Sequence, residues 1–384
     1  MKKILFIFSI IITLSTQNST AQQGTLLQET LLHASYINDP TNLVTRQYTL
    51  YIPANYTGIE KVPLLFNFHG GGGTGQGMLF MSDMRPIADT AGFIIVYPTA
   101  LPDPSGECSA CWTHKEPSTI NDIFFVEEMI NTIALDYQID LDRVYTTGYS
   151  NGGEFSFVLA CQLSDKIAAV TSVARSMYEP VYSTCAPSHP TAVMTIHGTQ
   201  DEYNGIVFAG VTYYLGLDDV NTYWANYNNT DIAPIITNIG TQTEHYRWEN
   251  GDGCVSVEHF KVNGGGHDWP GSFGTTDIVS DIEIWNFVSR FNTNGLIDCN
   301  PSSINDNNEK DLDIEMYPNP TKNTITINTD LSNSLEYEIY SVLGNFISSG
   351  KIEVNNNTIN LSNLPPNVYL LKINNNTFKI IRNN

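Results

Sequence analysis

Gly148-Tyr149-Ser150-Asn151-Gly152 is a Gly-x-Ser-x-Gly turn between a strand-like run at Arg143–Thr147 and a helical pattern carrying Phe155, Val158 and Leu159. That context lifts a serine hydroxyl above a sheet edge, and Gly148 and Gly152 let strand and helix approach where a Cβ would clash. A serine hydroxyl becomes a nucleophile only when a base takes its proton, and the base needs a carboxylate to orient it. Partners should lie in loops after later strands, carboxylate before histidine. The run Ala192–His197 leads into Gly198-Thr199-Gln200-Asp201, and the run ending at Val262 leads into Gly264-Gly265-Gly266-His267-Asp268. Ser150, Asp201 and His267 are therefore the expected catalytic residues, with Glu202, Asp218 and Asp219 as nearby rivals to Asp201. Asp268 adjoins the base, but neighbouring side chains point apart. His69 and His197 precede glycine at strand ends and read as structural turn residues.

A tetrahedral intermediate also needs two backbone donors aimed at its oxyanion. The amide of Asn151 is one candidate. Gly71, in the run His69-Gly70-Gly71-Gly72-Gly73, is the other, with its glycine neighbours as alternatives in register. The run lacks the Gly-Lys-Ser/Thr ending of a phosphate-binding loop. Trp112 and Trp269 fit either an apolar wall for the acyl group or ordinary packing. Cys108-Ser109-Ala110-Cys111 has no second Cys or His pair at zinc spacing, so no metal is expected.

The elements that must position these groups alternate in type. Strands are expected at 46–52, 62–68, 93–97, 168–174, 192–197, 245–248 and 255–262. Helices are expected at 78–90, from Asn121 or Asp122 onward, at 219–227 and at 278–288. Strand–helix alternation means an α/β fold with a mostly parallel sheet covered on both faces. Residues 297–315 are polar and acidic, as in a linker. From 316 to 384 only short β runs appear, at 324–327, 337–340, 345–354, 368–373 and 378–381, which predicts a small all-β sandwich.

The 384 residues carry a formal charge of −22 with 18 Lys and Arg, which argues against a nucleic-acid partner. Lys2-Lys3, the apolar stretch from Ile4 to Leu14 and Ser19-Thr20-Ala21 build a signal peptide over 1–21, followed by a catalytic domain over 22–296. No later stretch is long and apolar enough to span a membrane. Export puts the six cysteines in an oxidising compartment, where an even number predicts disulfides, although six allow fifteen pairings.

His69-Gly70-Gly71-Gly72, Cys111-Trp112, Asp142-Arg143-Val144-Tyr145 with the Ser150 turn, His197-Gly198-Thr199-Gln200-Asp201 and Gly265-Gly266-His267-Asp268-Trp269-Pro270-Gly271 stand in one order. Together they resemble the secreted polyhydroxybutyrate depolymerase and feruloyl esterase family over residues 40–293. The resemblance implies an α/β-hydrolase fold, a Ser150–Asp201–His267 triad, no cofactor and hydrolysis of carboxylic esters. It also implies a Cys161–Cys185 bridge. The chain lacks the cysteine that many relatives have near Tyr227, so the partner of Cys254 stays open, with Cys299 a candidate. Residues 317–382 resemble the C-terminal sorting domain of type IX secretion, which implies that export machinery as a partner and a secreted or cell-surface location after passage through the periplasm. Asn367 stands where relatives often have glycine. The function implied first is a feruloyl or acetyl esterase acting on plant cell-wall polysaccharide. An extracellular polyhydroxyalkanoate or polyester depolymerase is the alternative, and a non-catalytic glycan-binding protein the alternative of another class. The loops 102–119 and 203–217 are expected to shape the pocket.

Overall fold

The computed structural model describes residues 24–103, 106, 108–112, 120–299, 314–328, 334–341, 346–354, 357–373 and 376–383. The expected signal peptide, most of the expected linker and residues 113–119 of the pocket loop lie outside them. The chain divides into two compact units, 1–299 and 300–384.

In the first unit the chain runs β1 (Thr25–His33), β2 (Val44–Ile52), β3 (Val62–Phe68), α1 (Gly75–Met81), α2 (Arg85–Ala91) and β4 (Ile94–Pro98). Next come α3 (Asp122–Asp136), β5 (Ile139–Gly148), α4 (Asn151–Gln162), β6 (Ala169–Val173), α5 (Glu179–Thr184) and β7 (Ala192–Gly198). A two-strand hairpin, β8 (Val207–Phe208) and β9 (Val211–Thr212), precedes α6 (Leu217–Tyr227). The unit continues with β10 (Ile235–Ile239), β11 (Thr243–Trp248), β12 (Val257–Val262) and α7 (Ser280–Val288).

Ten strands form one sheet in the order β1-β2-β4-β3-β5-β6-β7-β12-β11-β10. The six central strands, β4 to β12, pair in parallel, and the outer two on each side are antiparallel. Central strands are apolar on both faces because helices cover both. Leu64, Phe66 and Phe68 of β3 pack with Phe125, Met129, Phe155 and Trp224 from α3, α4 and α6. Leu65, between them in sequence, packs on the other side with Met78, Ala88, Ile284 and Phe287 from α1, α2 and α7. Period-two alternation thus feeds two cores separated by the sheet.

Several boundaries differ from those expected. The helix foreseen over 78–90 is two helices, α1 and α2, with Pro86 in the first turn of α2. Proline is tolerated there because first-turn amides have no intrahelical partner, whereas inside one long helix it would remove a bond and clash. Strands β1 and β10 and helix α5 were not expected. Asn121, one of two foreseen caps, accepts the Phe124 amide at 2.9 Å. The first unit reaches Cys299 rather than 296, since Cys299 is bonded to Cys254. The other disulfides are Cys161–Cys185 and Cys108–Cys111.

In the second unit, strands at 315–317, 324–328 and 358–360 form one sheet, and strands at 346–352, 335–341, 367–373 and 376–382 form another. Ile325, Ile327 and Ile359 of the first share one buried cluster with Ile339, Leu371 and Ile380 of the second. This is the foreseen sandwich, with the strands at 315–317 and 358–360 in addition.

Candidate active site

Ser150 stands between β5 and α4 with φ 52° and ψ −120°, a conformation that L residues rarely adopt. The turn is held from both sides: the Ser150 amide donates to Val173 O at 2.9 Å and the Tyr149 amide to Phe68 O at 3.1 Å. Glycine is required around it. A Cβ on Gly152 would fall 2.3 Å from Phe68 O, and one on Gly148 2.5 Å from the Gly152 carbonyl.

Asp201 and His267 come from loops after β7 and β12, which pair in parallel and end together. The two loops are bonded to each other. The Gln200 amide donates to Gly265 O at 2.8 Å, and the Gly264 amide to Thr199 Oγ1 at 2.8 Å. Gly198 permits this contact, since its Cβ would lie 2.2 Å from Gly265 O. Across the junction His267 Nδ1 and Asp201 Oδ2 are 2.9 Å apart, with Asp201 buried and His267 partly exposed. Asp268 turns back to accept the Gly266 amide at 2.9 Å, so it does not orient the imidazole.

Sequence reasoning missed three groups. Tyr149 donates its hydroxyl to His267 O at 2.7 Å, and its ring lies 5.0 Å from the imidazole. Tyr203 packs against the imidazole with ring centroids 4.8 Å apart and planes tilted by 51°. His197, expected to be a turn residue, brings Nε2 to 3.1 Å from the same Asp201 oxygen, although the approach is poorly aligned for a hydrogen bond. His69 does act structurally, accepting the Ala100 amide on Nε2 at 3.0 Å.

Burial alone would raise the Asp201 carboxyl. His197 and His267 on one oxygen and the Tyr203 amide on the other outweigh it and hold the group well below the usual carboxylate range. The Tyr149 hydroxyl is pushed up to about 12, mainly by burial and then by the charges of Asp201 and Asp268, and stays a donor.

The structure brings Asp201 and His267 into contact. Ser150 Oγ and His267 Nε2 are not hydrogen-bonded to each other, a common looseness in ligand-free sites. Ser150 adjoins Tyr149, which holds the His267 backbone, so the nucleophile and the imidazole are tied to one side chain. The glycine run lies against the turn, with a Cβ on Gly70 only 3.3 Å from Ser150 Cβ. Within the run the Gly72 amide donates to Ala110 O at 2.7 Å and the Gly73 amide to Gly70 O at 3.0 Å. The Gly71 and Asn151 amides donate to no described residue, which leaves both open to a ligand. The Cys108–Cys111 disulfide backs Gly71, whose Cβ would lie 3.1 Å from Cys111 Sγ.

Trp112 and Trp269 do not form an exposed acyl wall. Both are 1 % exposed. Trp112 stacks on Phe155 at 5.1 Å and donates its indole N–H to His69 O, while its amide binds Asn151 Oδ1 at 2.8 Å. Trp269 donates to Asp281 Oδ1 at 3.0 Å. Each ring supports the site from beneath, because an indole buried with its N–H bonded has no face left for substrate. Among the described residues no group of three or more His, Cys, Asp or Glu could hold a metal, and no helix is long and apolar enough to cross a membrane.

Comparison with known proteins fits this geometry. Residues 46–209 match the family described as Esterase PHB depolymerase, and residues 315–383 the family described as Secretion system C-terminal sorting domain. Feruloyl esterase B of Piromyces equi is 28 % identical over 259 residues, covering 64 % of this chain and 45 % of the relative. Feruloyl esterase D of Neurospora crassa is 27 % identical over 277 residues, covering 68 % of this chain and 88 % of the relative. The chain thus spans less than half the length of the Piromyces protein. A solved acetyl xylan esterase from Aspergillus awamori shares the fold, with a TM-score of 0.50 at 20 % identity over 69 % of this chain and 99 % of that one. The fold is that of the α/β-hydrolases. Residues 46–209 of the first unit thus match an Esterase PHB depolymerase domain, and residues 315–383 match a secretion-system C-terminal sorting domain.

Proposed function

We propose that this protein is an exported serine carboxylic-ester hydrolase that removes feruloyl or acetyl groups from plant cell-wall polysaccharide. The observation that carries the reading is the 2.9 Å contact between His267 Nδ1 and the buried carboxylate of Asp201, beside a serine held at positive φ. With Nδ1–H bonded to Asp201, the imidazole presents Nε2 as the base. Nε2 takes the Ser150 proton while Oγ forms a bond to the ester carbonyl carbon. The carbonyl electron pair moves onto oxygen, where the Asn151 and Gly71 amides receive it. Each such donor is worth on the order of a hundredfold or more in rate. As the tetrahedral species collapses, the alcohol leaves with the proton from Nε2 and the acyl group stays on Ser150. Water then gives a proton to Nε2 as its oxygen bonds to the same carbon. This second tetrahedral species collapses by breaking the bond to Ser150 Oγ, which takes the proton back from Nε2 as the acid is released. No step calls for a cofactor.

Feruloyl esters are favoured by the names of the feruloyl esterase relatives, and acetyl esters by a relative of Neocallimastix patriciarum named as a bifunctional acetylxylan esterase/xylanase. The family description favours a second reading, a polyester depolymerase with the same chemistry and a different acyl pocket. Export through the periplasm after signal-peptide cleavage, by the type IX machinery reading the C-terminal unit, completes the proposal. In the decisive experiment Ser150→Ala folds and loses turnover of p-nitrophenyl acetate; unchanged turnover rejects the nucleophile. Methyl ferulate, acetylated xylan and polyhydroxybutyrate, compared as substrates, separate the two readings by which is hydrolysed fastest.

A further inference from the structure

A second cleft, of about 960 Å³, opens between α5, α6 and the β8–β9 hairpin, and the chemistry above does not use it. It is written into α6. Leu217, Val220 and Trp224 bury one face of that helix, whereas Asp219, Tyr223, Asn226 and Tyr227 line the cleft from the other. The spacing is that of neighbours on one helix surface. Tyr182 of α5 meets Tyr223 edge to face at 5.0 Å, and Tyr223 and Tyr227 lie 6.2 Å apart with rings 28° from parallel.

Two of these tyrosines are already fixed by their hydroxyls. Tyr223 donates to Cys185 O at 3.0 Å and Tyr227 to Pro187 O at 2.6 Å. What remains to offer is ring surface, held in place before any ligand arrives, so little rotamer entropy is lost on binding. Glu179, Asp219 and Asn226 supply hydrogen-bonding groups beside the rings, and no Lys, Arg or His is among the lining residues. Opposite, the hairpin lines the cleft with Gly210, Val211 and Thr212, and Val211 is 57 % exposed. Rings that stack on C–H faces, carboxylate and amide groups that bind hydroxyls, and no cation are the recognition chemistry for a neutral sugar chain. A polyuronate would meet two carboxylates with nothing to neutralise it.

From this lining we propose that the cleft binds the main chain of a neutral polysaccharide, at a site separate from the ester-cleaving centre. The segment that joins them is short: it leaves Asp201, packs Tyr203 against His267, and goes on to form the hairpin wall. The proposal deepens the polysaccharide-esterase reading and rests on it for the choice of xylan as probe.

The test titrates full-length Ser150→Ala with xylohexaose and with hexagalacturonate, by calorimetry. Xylohexaose binds and hexagalacturonate does not. Adding Tyr182→Ala weakens xylohexaose binding at least tenfold, and adding Thr212→Trp, which fills the cleft, abolishes it. In the chain with Ser150 intact, Tyr182→Ala turns over p-nitrophenyl acetate at the parent rate, which shows that the fold is kept, while KM for acetylated xylan rises. Any of three results overturns the proposal: no xylohexaose binding by Ser150→Ala, xylohexaose binding that neither cleft substitution weakens, or preference for hexagalacturonate. So does a dimer that Thr212→Trp dissociates, since the cleft would then hold a second copy. Failure of the esterase reading looks different: xylohexaose binds, but the native chain does not turn over p-nitrophenyl acetate.

Discussion

Two imidazoles approach one oxygen of Asp201, and the difference between them predicts unequal consequences. His267 makes the aligned contact at 2.9 Å and is partly exposed, whereas His197 is buried at 3.1 Å and poorly aligned. Asp201→Asn should lower kcat on p-nitrophenyl acetate by on the order of 10⁴, because an amide no longer fixes the imidazole tautomer. His197→Ala should lower it by no more than roughly tenfold, because its approach to Asp201 is too poorly aligned to act as a full hydrogen bond to a charged group. Equal losses in the two variants would show that His197 shares the orienting task. Histidines elsewhere set the acid limit. Burial, with His197 nearby, takes His259 from 6.5 down to about 3, and burial with Arg46 takes His33 to about 4. Between those values and about 6.5 the unfolded chain binds protons that the folded chain refuses, so stability falls with pH. The melting temperature should drop from pH 7 to pH 5, and His259→Gln should flatten that slope. The turn at Ser150 and the meeting of Asp201 with His267 were legible from residue types and chain order, because those suit one reaction. Tyr149, Tyr203 and His197 were not, since their roles arise only where loops from different strands meet, and nothing in their local sequence marks it. The two tryptophans misled for the same reason: an indole beside a motif has one sequence signature whether it faces substrate or Phe155.

At the scale of elements, the elbow depends on two backbones approaching within side-chain distance. Gly152→Ala would place a methyl 2.3 Å from Phe68 O and 2.7 Å from His69 O, both backbone atoms with no room to yield. The substitution should cost about 1–3 kcal/mol of stability or more, read as a lower melting temperature, together with loss of turnover as Ser150 is displaced. Normal stability and activity would show that α4 can shift at no cost. The central strands could be read as nearly continuous apolar runs because both their faces are covered, and α3, α6 and α7 from helical periodicity because each buries one face. The misses have physical causes. Strands β1 and β10 are exposed edges that owe their extended form to pairing with β2 and β11. The break between α1 and α2 turns on Pro86, whose effect depends on which turn of a helix it enters. The foreseen Cys161–Cys185 bridge rested on resemblance, and the remaining pairs needed coordinates because spacing alone admits too many partners.

Over the whole molecule, two units each bury a core of their own, and the proposed ester-cleaving residues Ser150, Asp201 and His267 lie in the first. A chain ending at Cys299 should hydrolyse p-nitrophenyl acetate at the full-length rate and fail to leave the cell. Loss of activity in a folded truncation would mean that the sorting unit contributes to the site. The Cys254–Cys299 bridge closes a 45-residue separation at the end of the first unit. Replacing both cysteines by serine should destabilise that unit by about 2–4 kcal/mol, as a lower denaturant midpoint, and leave kcat unchanged. The charge of −22 over the whole chain favours solubility and argues against a polyanion partner.

The central claim is that Ser150 Oγ carries the acyl group between two half-reactions. Peptide mapping by mass spectrometry after inactivation with diethyl p-nitrophenyl phosphate measures this directly. One diethylphosphoryl group should appear per chain, on Ser150, in proportion to the activity lost. Full inactivation with Ser150 unmodified, or stoichiometric labelling with turnover intact, would contradict it.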